Sequence, residues 1–248
     1  MALLMALAYR WARKMDNYGV VDLCWALGLC LAAIAYALLT PGLWQRRVMI
    51  ATMAGLWALR LSIYLYQRIV GKAEDGRYRE LRKRWADTAP WKFFLFFQVQ
   101  ASWDVLFSVP FLAAMYSKQA LSGLDLLGAF IWLLALSGES LADYQLARFK
   151  AKPESKGQTC SEGLWRYSRH PNYFFEWLHW FAYIPLAWYS PYWYLSLFGP
   201  IVMALFLFKL TGIPYTEKQA LKSRGENYRI YQKTTSRFIP WFPREVER

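Results

Sequence analysis

VVDLCWALGLCLAAIAYALL, residues 20–39, is twenty residues long and carries a single charge, Asp22. As a helix rising 1.5 Å per residue it reaches about 30 Å, the thickness of a bilayer's hydrocarbon core. Working outward from it, five more stretches read as spans: 48–67, 93–116, 121–143, 173–190 and 192–212. The run MALLMALA, residues 1–8, is too short to span alone and reads as the end of a tilted or re-entrant seventh segment. It has no basic n-region and no small-residue cleavage site, so a signal peptide is not expected. The expected fold is all-α, a polytopic integral membrane bundle of six to seven transmembrane helices forming one domain over residues 1–248.

The loop charges test that division. The connections at 40–47, 117–120 and 190–191 carry only Arg46, Arg47 and Lys118. The alternate set carries 3 Lys or Arg in residues 10–16, 8 in 68–92, 6 in 144–172 and 8 in 213–248. Cations mark cytoplasmic loops, so six spans with both termini near the cytoplasm fit without adjustment. A soluble bundle with a greasy core would not sort its charges in this way. The basic side also predicts attraction to anionic lipid headgroups. The same cations are a weaker argument for nucleic acid, because topology alone places them.

Composition narrows the classes further. Hydrophobic residues make up 56% of the chain, above the roughly 45–50% of soluble domains and incompatible with intrinsic disorder. The mean hydropathy of +0.10 averages long apolar runs with dense basic loops. Three Cys give no disulfide framework, and two His exclude histidine-rich membrane di-iron chemistry. There is no GxGxxG, Walker loop, CxxC or HExxH, so neither a soluble nucleotide-binding domain nor a zinc site is expected.

Charges inside spans are costly and point to function or pairing. Five need an account: Asp22, Arg60, Asp104, Asp143 and Glu176. For Arg60 and Asp104 a helix-to-helix ion pair is the simple expectation, while Asp125 near a span end can snorkel. Glu139 and Asp143 are i and i+4 on one face, with Arg148 and Lys150 just beyond. The densest polar motif is GLWRYSRHPNYFFEW, residues 163–177. Pro171 suits a helix's first turn, and Arg169 and His170 beside that N-terminus read as an anion site. Asn172 and Glu176 follow on one face; a His179–Glu176 metal pair is less favoured than a structural hydrogen bond. In GKAEDGRYRELRKRW, residues 71–85, Asp75, Arg77 and Tyr78 are candidates to face a pocket, whereas Arg79, Arg82, Lys83 and Arg84 read as a solvated face. A third cluster runs from Glu217 to Arg237, and RFIPWFP after it reads as an aromatic interfacial anchor.

The blocks VDLCWALG, EDGRY, ADYQLARFK, EGLWRYSRHPNYFFEW, TGIPYTEKQ and RFIPWFP, in this order, resemble the steroid 5-alpha-reductase-like membrane family, in particular its bacterial branch. The resemblance runs from about residue 18 to 243. It implies a bundle of about seven helices holding NADPH, in the bacterial inner membrane. The implied activity is reduction of a carbon–carbon double bond conjugated to a ketone in a lipophilic, steroid-like substrate, with hydride going to the β carbon. Position by position, Asp22 stands where the steroid reductases have a catalytic Glu, and Val21 where the eukaryotic enzymes have Gln. Tyr64 falls in the substrate-side tyrosine region. Arg77, flanked by Asp75 and Tyr78, matches a phosphate-contacting Arg. Asp143, Arg148 and Lys150 match the acidic helix and basic turn around the cofactor, and Asn172 and Glu176 the residues near nicotinamide and ribose. Arg169 and His170 fit the bacterial branch, and Tyr228, Tyr231 and Arg237 stand in for a C-terminal pattern of the eukaryotic enzymes. A carboxyl in an apolar pocket stays protonated and donates a hydrogen bond, the role this reaction asks of Asp22.

Two other classes compete. Isoprenylcysteine- and phospholipid-type membrane methyltransferases share an RHPxY…E motif and use S-adenosylmethionine, but Phe174 and Phe175 stand where a small residue is expected. A binding or transport protein would use the intramembrane acids as a substrate path. The expected partners are a lipophilic small molecule and membrane lipids, with no nucleic acid and no metal, and the chain is read as a monomer.

Overall fold

The structure, a computed structural model, describes residues 1–210 and 212–244. Among these residues every regular element is helical. Among the described residues five stretches are long and apolar enough to cross a membrane: Val20–Leu39, Trp44–Ile69, Gly76–Met115, Gly123–Lys150 and Trp193–Arg224. The protein is a polytopic helical membrane protein, as its span lengths require. The last stretch is a succession of helical pieces on either side of Thr211. Thr211, the first residue of the TGIPYTEKQ block, lies outside the described residues.

The expected span at 173–190 is the exception. It forms two short helices, Pro171–Phe181 and Tyr183–Ala187, separated at Ala182. Pro185 has no N–H to offer the carbonyl of Phe181, four residues back, and its ring crowds that oxygen. The chain tightens instead, with the Ala182 N–H donating to the His179 carbonyl at 3.2 Å. The N-terminal run is helical over Ala2–Lys14, about 20 Å long by helix geometry and too short to cross.

The chain divides into two compact units, Met1–Leu121 with Ala187–Ser196, and Ser122–Leu186 with Leu197–Arg248. The first unit holds α1 (Ala2–Lys14), α2 (Val20–Leu39), α3 (Trp44–Ile69), α4 (Gly76–Trp85) and α5 (Ala89–Met115). Here α2 packs against α1, α3 and α5. The inner stripe of α1, Met5, Ala8 and Ala12, is buried with Val20, Val21, Phe93 and Phe97, while Leu3, Leu7 and Trp11 are exposed. Such a stripe at i, i+3 and i+7 is what holds a short helix that has little stability of its own.

The second unit is built on α6 (Gly123–Lys150), which packs against α7 (Pro171–Phe181). Asp125, expected to snorkel, is 4% exposed and instead closes a capping box: its Oδ2 accepts from Ser122 N at 2.8 Å, and Ser122 Oγ accepts from Leu124 N at 3.3 Å. The α6–α7 approach is set by Gly138, where an added Cβ would fall 2.4 Å from Phe175 Cδ1. Small residues at such crossings let membrane helices meet closely. Gly138→Val is therefore expected to destabilise the protein by about 1–3 kcal/mol, through overpacking. A melting curve in detergent checks this, and a temperature equal to wild type would show that the Phe175 ring yields freely. The unit is completed by α9 (Phe198–Leu205) with a π turn over Phe206–Leu210, α10 (Ile213–Arg224) and α11 (Glu226–Thr234), with α8 (Tyr183–Ala187) following α7.

Candidate functional site

In the first unit, the candidate site is assembled by the loop between α3 and α4. Asn17 anchors that loop. Buried just before α2, it donates from Nδ2 to the carbonyls of Ile69 at 3.3 Å and Lys72 at 3.4 Å, while its Oδ1 accepts from Gly19 N at 3.0 Å. Glu74 accepts from Tyr18 N at 2.8 Å, and Asp75 caps α4 by accepting from Arg77 N at 2.9 Å. The start of α4 is thereby fixed over the start of α2. Arg77 Nη2 then reaches Asp22 Oδ2 at 3.1 Å, and the Tyr78 hydroxyl donates to Asp22 Oδ1 at 2.7 Å. Arg68 Nη2 pairs with Asp75 Oδ2 at 2.6 Å. Asp22, Asp75, Arg68, Arg77 and Asn17 line one cavity of about 210 Å³.

This pocket mixes charged groups with Leu65, Ile69 and Ala73, so Asp22 does not sit in a purely apolar environment. Asp22 accepts hydrogen bonds on both oxygens because α4 brings a guanidinium and a phenol to it. Arg77, expected to contact phosphate, directs Nε to Asp75 and Nη2 to Asp22. Burial opposes the Asp75 charge, but the Arg77 N–H and the Arg77 and Arg68 guanidiniums outweigh it and hold its carboxyl below the usual range. Tyr64, half-buried on α3 one turn before Arg68, is not among the residues lining this cavity; the Arg60 guanidinium stands 6.0 Å from its ring. Arg82, expected to be solvated, donates to Asp16 and Glu74 and lies over the Tyr18 ring.

The second unit gathers the RHPNY motif, the end of α6 and the tail. Asn172 Nδ2 donates to Asp143 Oδ1 at 3.1 Å, joining two blocks that lie 29 residues apart. Arg169 and His170, expected to form an anion site, face an internal anion. Glu217 Oε1 lies 3.0 Å from Arg169 Nε, out of hydrogen-bond alignment, and 3.3 Å from His170 Nε2. Gln232 Nε2 donates to Glu217 Oε2 at 3.2 Å, and Tyr173 and Thr216 join their hydroxyls at 3.1 Å. The Tyr231 hydroxyl donates to the carbonyls of Trp165 and Ser168, and burial pushes its pKa up, so it serves as a structural donor. Tyr228 is buried beside it and points its hydroxyl toward Glu217. Gly163, at φ +59°, turns the chain into this motif where a Cβ would strike Gln145, whose Oε1 accepts from Leu164 N at 2.9 Å. Glu176 accepts from Trp180 Nε1 at 3.3 Å. Arg148 and Lys150 are exposed at the end of α6, and Arg237 is exposed with its charge felt by His170 and Glu217.

Burial pushes the His170 pKa down, against the opposing pull of Glu217. The folded state then binds fewer protons than the unfolded chain below the ordinary histidine value, so this contribution is complete above about pH 6.5 and is lost as pH falls from there. The melting temperature of His170→Gln should accordingly fall less between pH 8 and 5.5 than that of wild type. Parallel pH profiles would disprove the assignment.

Asp104, expected to pair with Arg60, shows no hydrogen bond to it among the described residues. Asp104 is fully buried, its carboxyl lies against the α2 backbone at Gly28, and neither oxygen has a hydrogen-bond partner among the described residues. Among those residues no group of three or more His, Cys, Asp or Glu is placed to hold a metal ion. Sequence reasoning missed Asn17 and Glu74, which carry no motif signal. It included Glu217 in a basic cluster without its partners. Only its spacing within TGIPYTEKQ marked it.

Comparison with curated proteins and with solved structures returns no match. A family model does match, over residues 8–235 and hence nearly the whole chain, so that the protein whose polar pockets are described above belongs to the family described as protein of unknown function DUF1295.

Proposed function

We infer that the protein is a membrane reductase of the steroid 5-alpha-reductase-like kind, which uses NADPH to reduce a carbon–carbon double bond conjugated to a ketone in a lipophilic substrate. The observation that carries this reading is the 3.1 Å hydrogen bond from Asn172 to Asp143. It draws together the two sequence blocks that the resemblance assigns to one cofactor. The donor set fits a phosphorylated dinucleotide. Arg148 and Lys150, exposed one to two turns beyond Asp143, offer cations to phosphate, and an adjoining carboxylate and amide suit ribose hydroxyls and a carboxamide. Bound NADPH would supply the hydride for the β carbon.

The chain's own residues bind and orient. Asp143 would accept from a ribose hydroxyl, with Asn172 holding its carboxylate in place. Arg169 and His170 would not take phosphate; with Glu217 they fix the entry to α7 and so the position of Asn172. In the first unit Asp22, the position to which the resemblance gives a catalytic acid, has the Tyr78 hydroxyl and Arg77 as its proton-bearing neighbours. Asp75 and Arg68 keep Arg77 in register, and Tyr64 stays a substrate-side candidate. The product gains a hydride at the β carbon and a proton at the α carbon, the latter from solvent. The five apolar spans suit a substrate that enters from lipid.

The test is ligand identity. The protein is purified in mild detergent and denatured, and the released small molecules are identified by mass spectrometry. A parallel melt compares added NADPH, NADH and S-adenosylmethionine, since a ligand of the native state raises apparent stability. NADPH is expected to be released or to stabilise. Asn172→Ala should weaken its binding about tenfold, the size of one lost hydrogen bond at a half-buried polar pair. Stabilisation by S-adenosylmethionine alone would move the protein to methyl transfer, and no response to any of the three would overturn an enzymatic nucleotide site.

A further inference from the structure

Beyond the end of α6 the chain turns through Pro153–Ser155 and comes back against the end of α10, enclosing a cavity of about 390 Å³. Four cations line it, Lys150, Lys152, Lys156 and Arg224, and no acidic side chain does among the described residues. Leu146 and Phe149, on the last turns of α6, supply an apolar wall. Lys150 and Arg224 sit in last helical turns, where cations complement the helix dipole and need no ligand. That account does not reach Lys152 and Lys156. They lie past the helix, and the loop brings them back to the same cavity. The loop is pinned there by Asn227 Nδ2, which donates to Gln158 Oε1 at 2.8 Å.

We propose that this cavity is a binding site for the phosphate headgroup of an anionic phospholipid. Three features select the ligand. The convergence of Lys152, Lys156 and Arg224 on one cavity suits an anion, and lysines suit phosphate as point charges. The volume lies in the range of small-ligand sites. Because α6 is a membrane-crossing stretch, the wall of Leu146 and Phe149 is the end of its apolar surface, continuous with where an acyl chain would lie. A free phosphate would have no use for that wall. Basic pockets at the ends of transmembrane helices hold anionic headgroups by this combination of point charge and adjoining hydrocarbon. The site borders the reductase reading at Lys150 but is tested on Lys152, Lys156 and Arg224, none of which is assigned there to the cofactor.

The experiment uses the full chain, reconstituted in nanodiscs of phosphatidylcholine with or without phosphatidylglycerol, and native mass spectrometry after mild delipidation. Wild type is expected to retain a phosphatidylglycerol molecule in preference to phosphatidylcholine. The triple variant K152Q/K156Q/R224Q should bind it about a hundredfold more weakly, since each cation near an anionic surface is worth about a factor of five. A control on the exposed face of α4, K83Q/R84Q, should keep wild-type retention. Equal loss in the control would reduce the effect to general surface charge and overturn the site. Equal retention in the triple variant, or no preference over phosphatidylcholine, would overturn it too. Inorganic phosphate and NADPH are added as further arms. Displacement of the lipid by millimolar phosphate would support the same phosphate chemistry, whereas stabilisation by phosphate or NADPH without any lipid retention would assign the cavity to a soluble ligand and overturn the lipid. All variants are made in exposed or half-exposed loop and helix-end positions, and their melting curves in phosphatidylcholine report whether they fold.

Discussion

Arg46→Met is expected to lower the melting temperature in detergent by roughly 10 °C, corresponding to about 3–5 kcal/mol. Arg46 lies on the side of the chain that carries few cations, and charge counting places it simply as one of three exceptions there. In the structure it is 1% exposed. Its Nη1 donates to Ser117 Oγ at 2.8 Å, to the Gln119 carbonyl at 2.8 Å and to the Ser117 carbonyl at 3.4 Å, and its Nη2 donates to the Ala120 carbonyl at 3.2 Å. The guanidinium therefore serves as the hydrogen-bond partner of the turn between α5 and α6, where backbone carbonyls at a helix end would otherwise be orphaned. Methionine preserves the stem's packing and removes every donor. Arg46→Lys keeps the charge but cannot fan across four acceptors, and should fall between the two. The neighbouring Arg47 donates to the Ala37 and Thr40 carbonyls and closes the end of α2 in the same manner. If the Arg46→Met variant melts as wild type does, water satisfies this turn equally well.

Glu217→Ala should cost a similar amount, about 3–5 kcal/mol, because it removes the carboxylate set against Arg169 and leaves that guanidinium as an uncompensated charge. Both groups are largely buried, with side-chain exposures of 9% for Arg169 and 13% for Glu217. The loss should also loosen the tail, since Arg169 holds it through its N–H on the Ser236 carbonyl and its Nη1 on the Gln232 carbonyl. Limited proteolysis within residues 225–244 should therefore accelerate in Glu217→Ala. Glu217→Gln keeps one acceptor oxygen, enough for either Gln232 or His170, and should lose about half as much. If the alanine variant is as stable as wild type and its tail stays protected, the carboxylate is not the hub of this unit. If the nucleotide reading is right, the same variant should weaken NADPH binding indirectly, by displacing the start of α7, and the glutamine variant should recover most of it.

Much of the architecture is legible from the chain itself. Span length is a local property. Twenty apolar residues around Asp22 must be a membrane helix whatever else the protein does, because nothing but an intact helix satisfies its backbone in hydrocarbon. The same logic locates α3, α5 and α6 and the run from Trp193. It fails at 173–190, where hydropathy is indifferent to one proline but backbone hydrogen bonding is not. The motif at residues 163–177 also announces itself as a polar entry to a helix, since Pro171, Arg169, His170 and Asn172 stand together in sequence.

What sequence cannot decide is whom these polar groups meet. Taken alone, Asp22 reads as an acid in an apolar pocket and Arg77 as a phosphate ligand; the structure pairs them with each other, because the anchor formed by Asn17 and Glu74 lays α4 over the start of α2. Arg169 and His170 read as awaiting an anion, which proves to be Glu217, 48 residues further on from Arg169. Arg82 reads as a solvated cation and lies over Tyr18. The physical reason is one of range. Burial of an apolar stretch depends on its own composition, summed over twenty residues, whereas a carboxylate's role depends on which single cation or donor comes within about 3 Å of it, and that is set by loops and caps far away in sequence. The sequence by itself determined that this chain lives in a membrane and where its polar motifs lie; only the tertiary structure decided which of their charges meet one another.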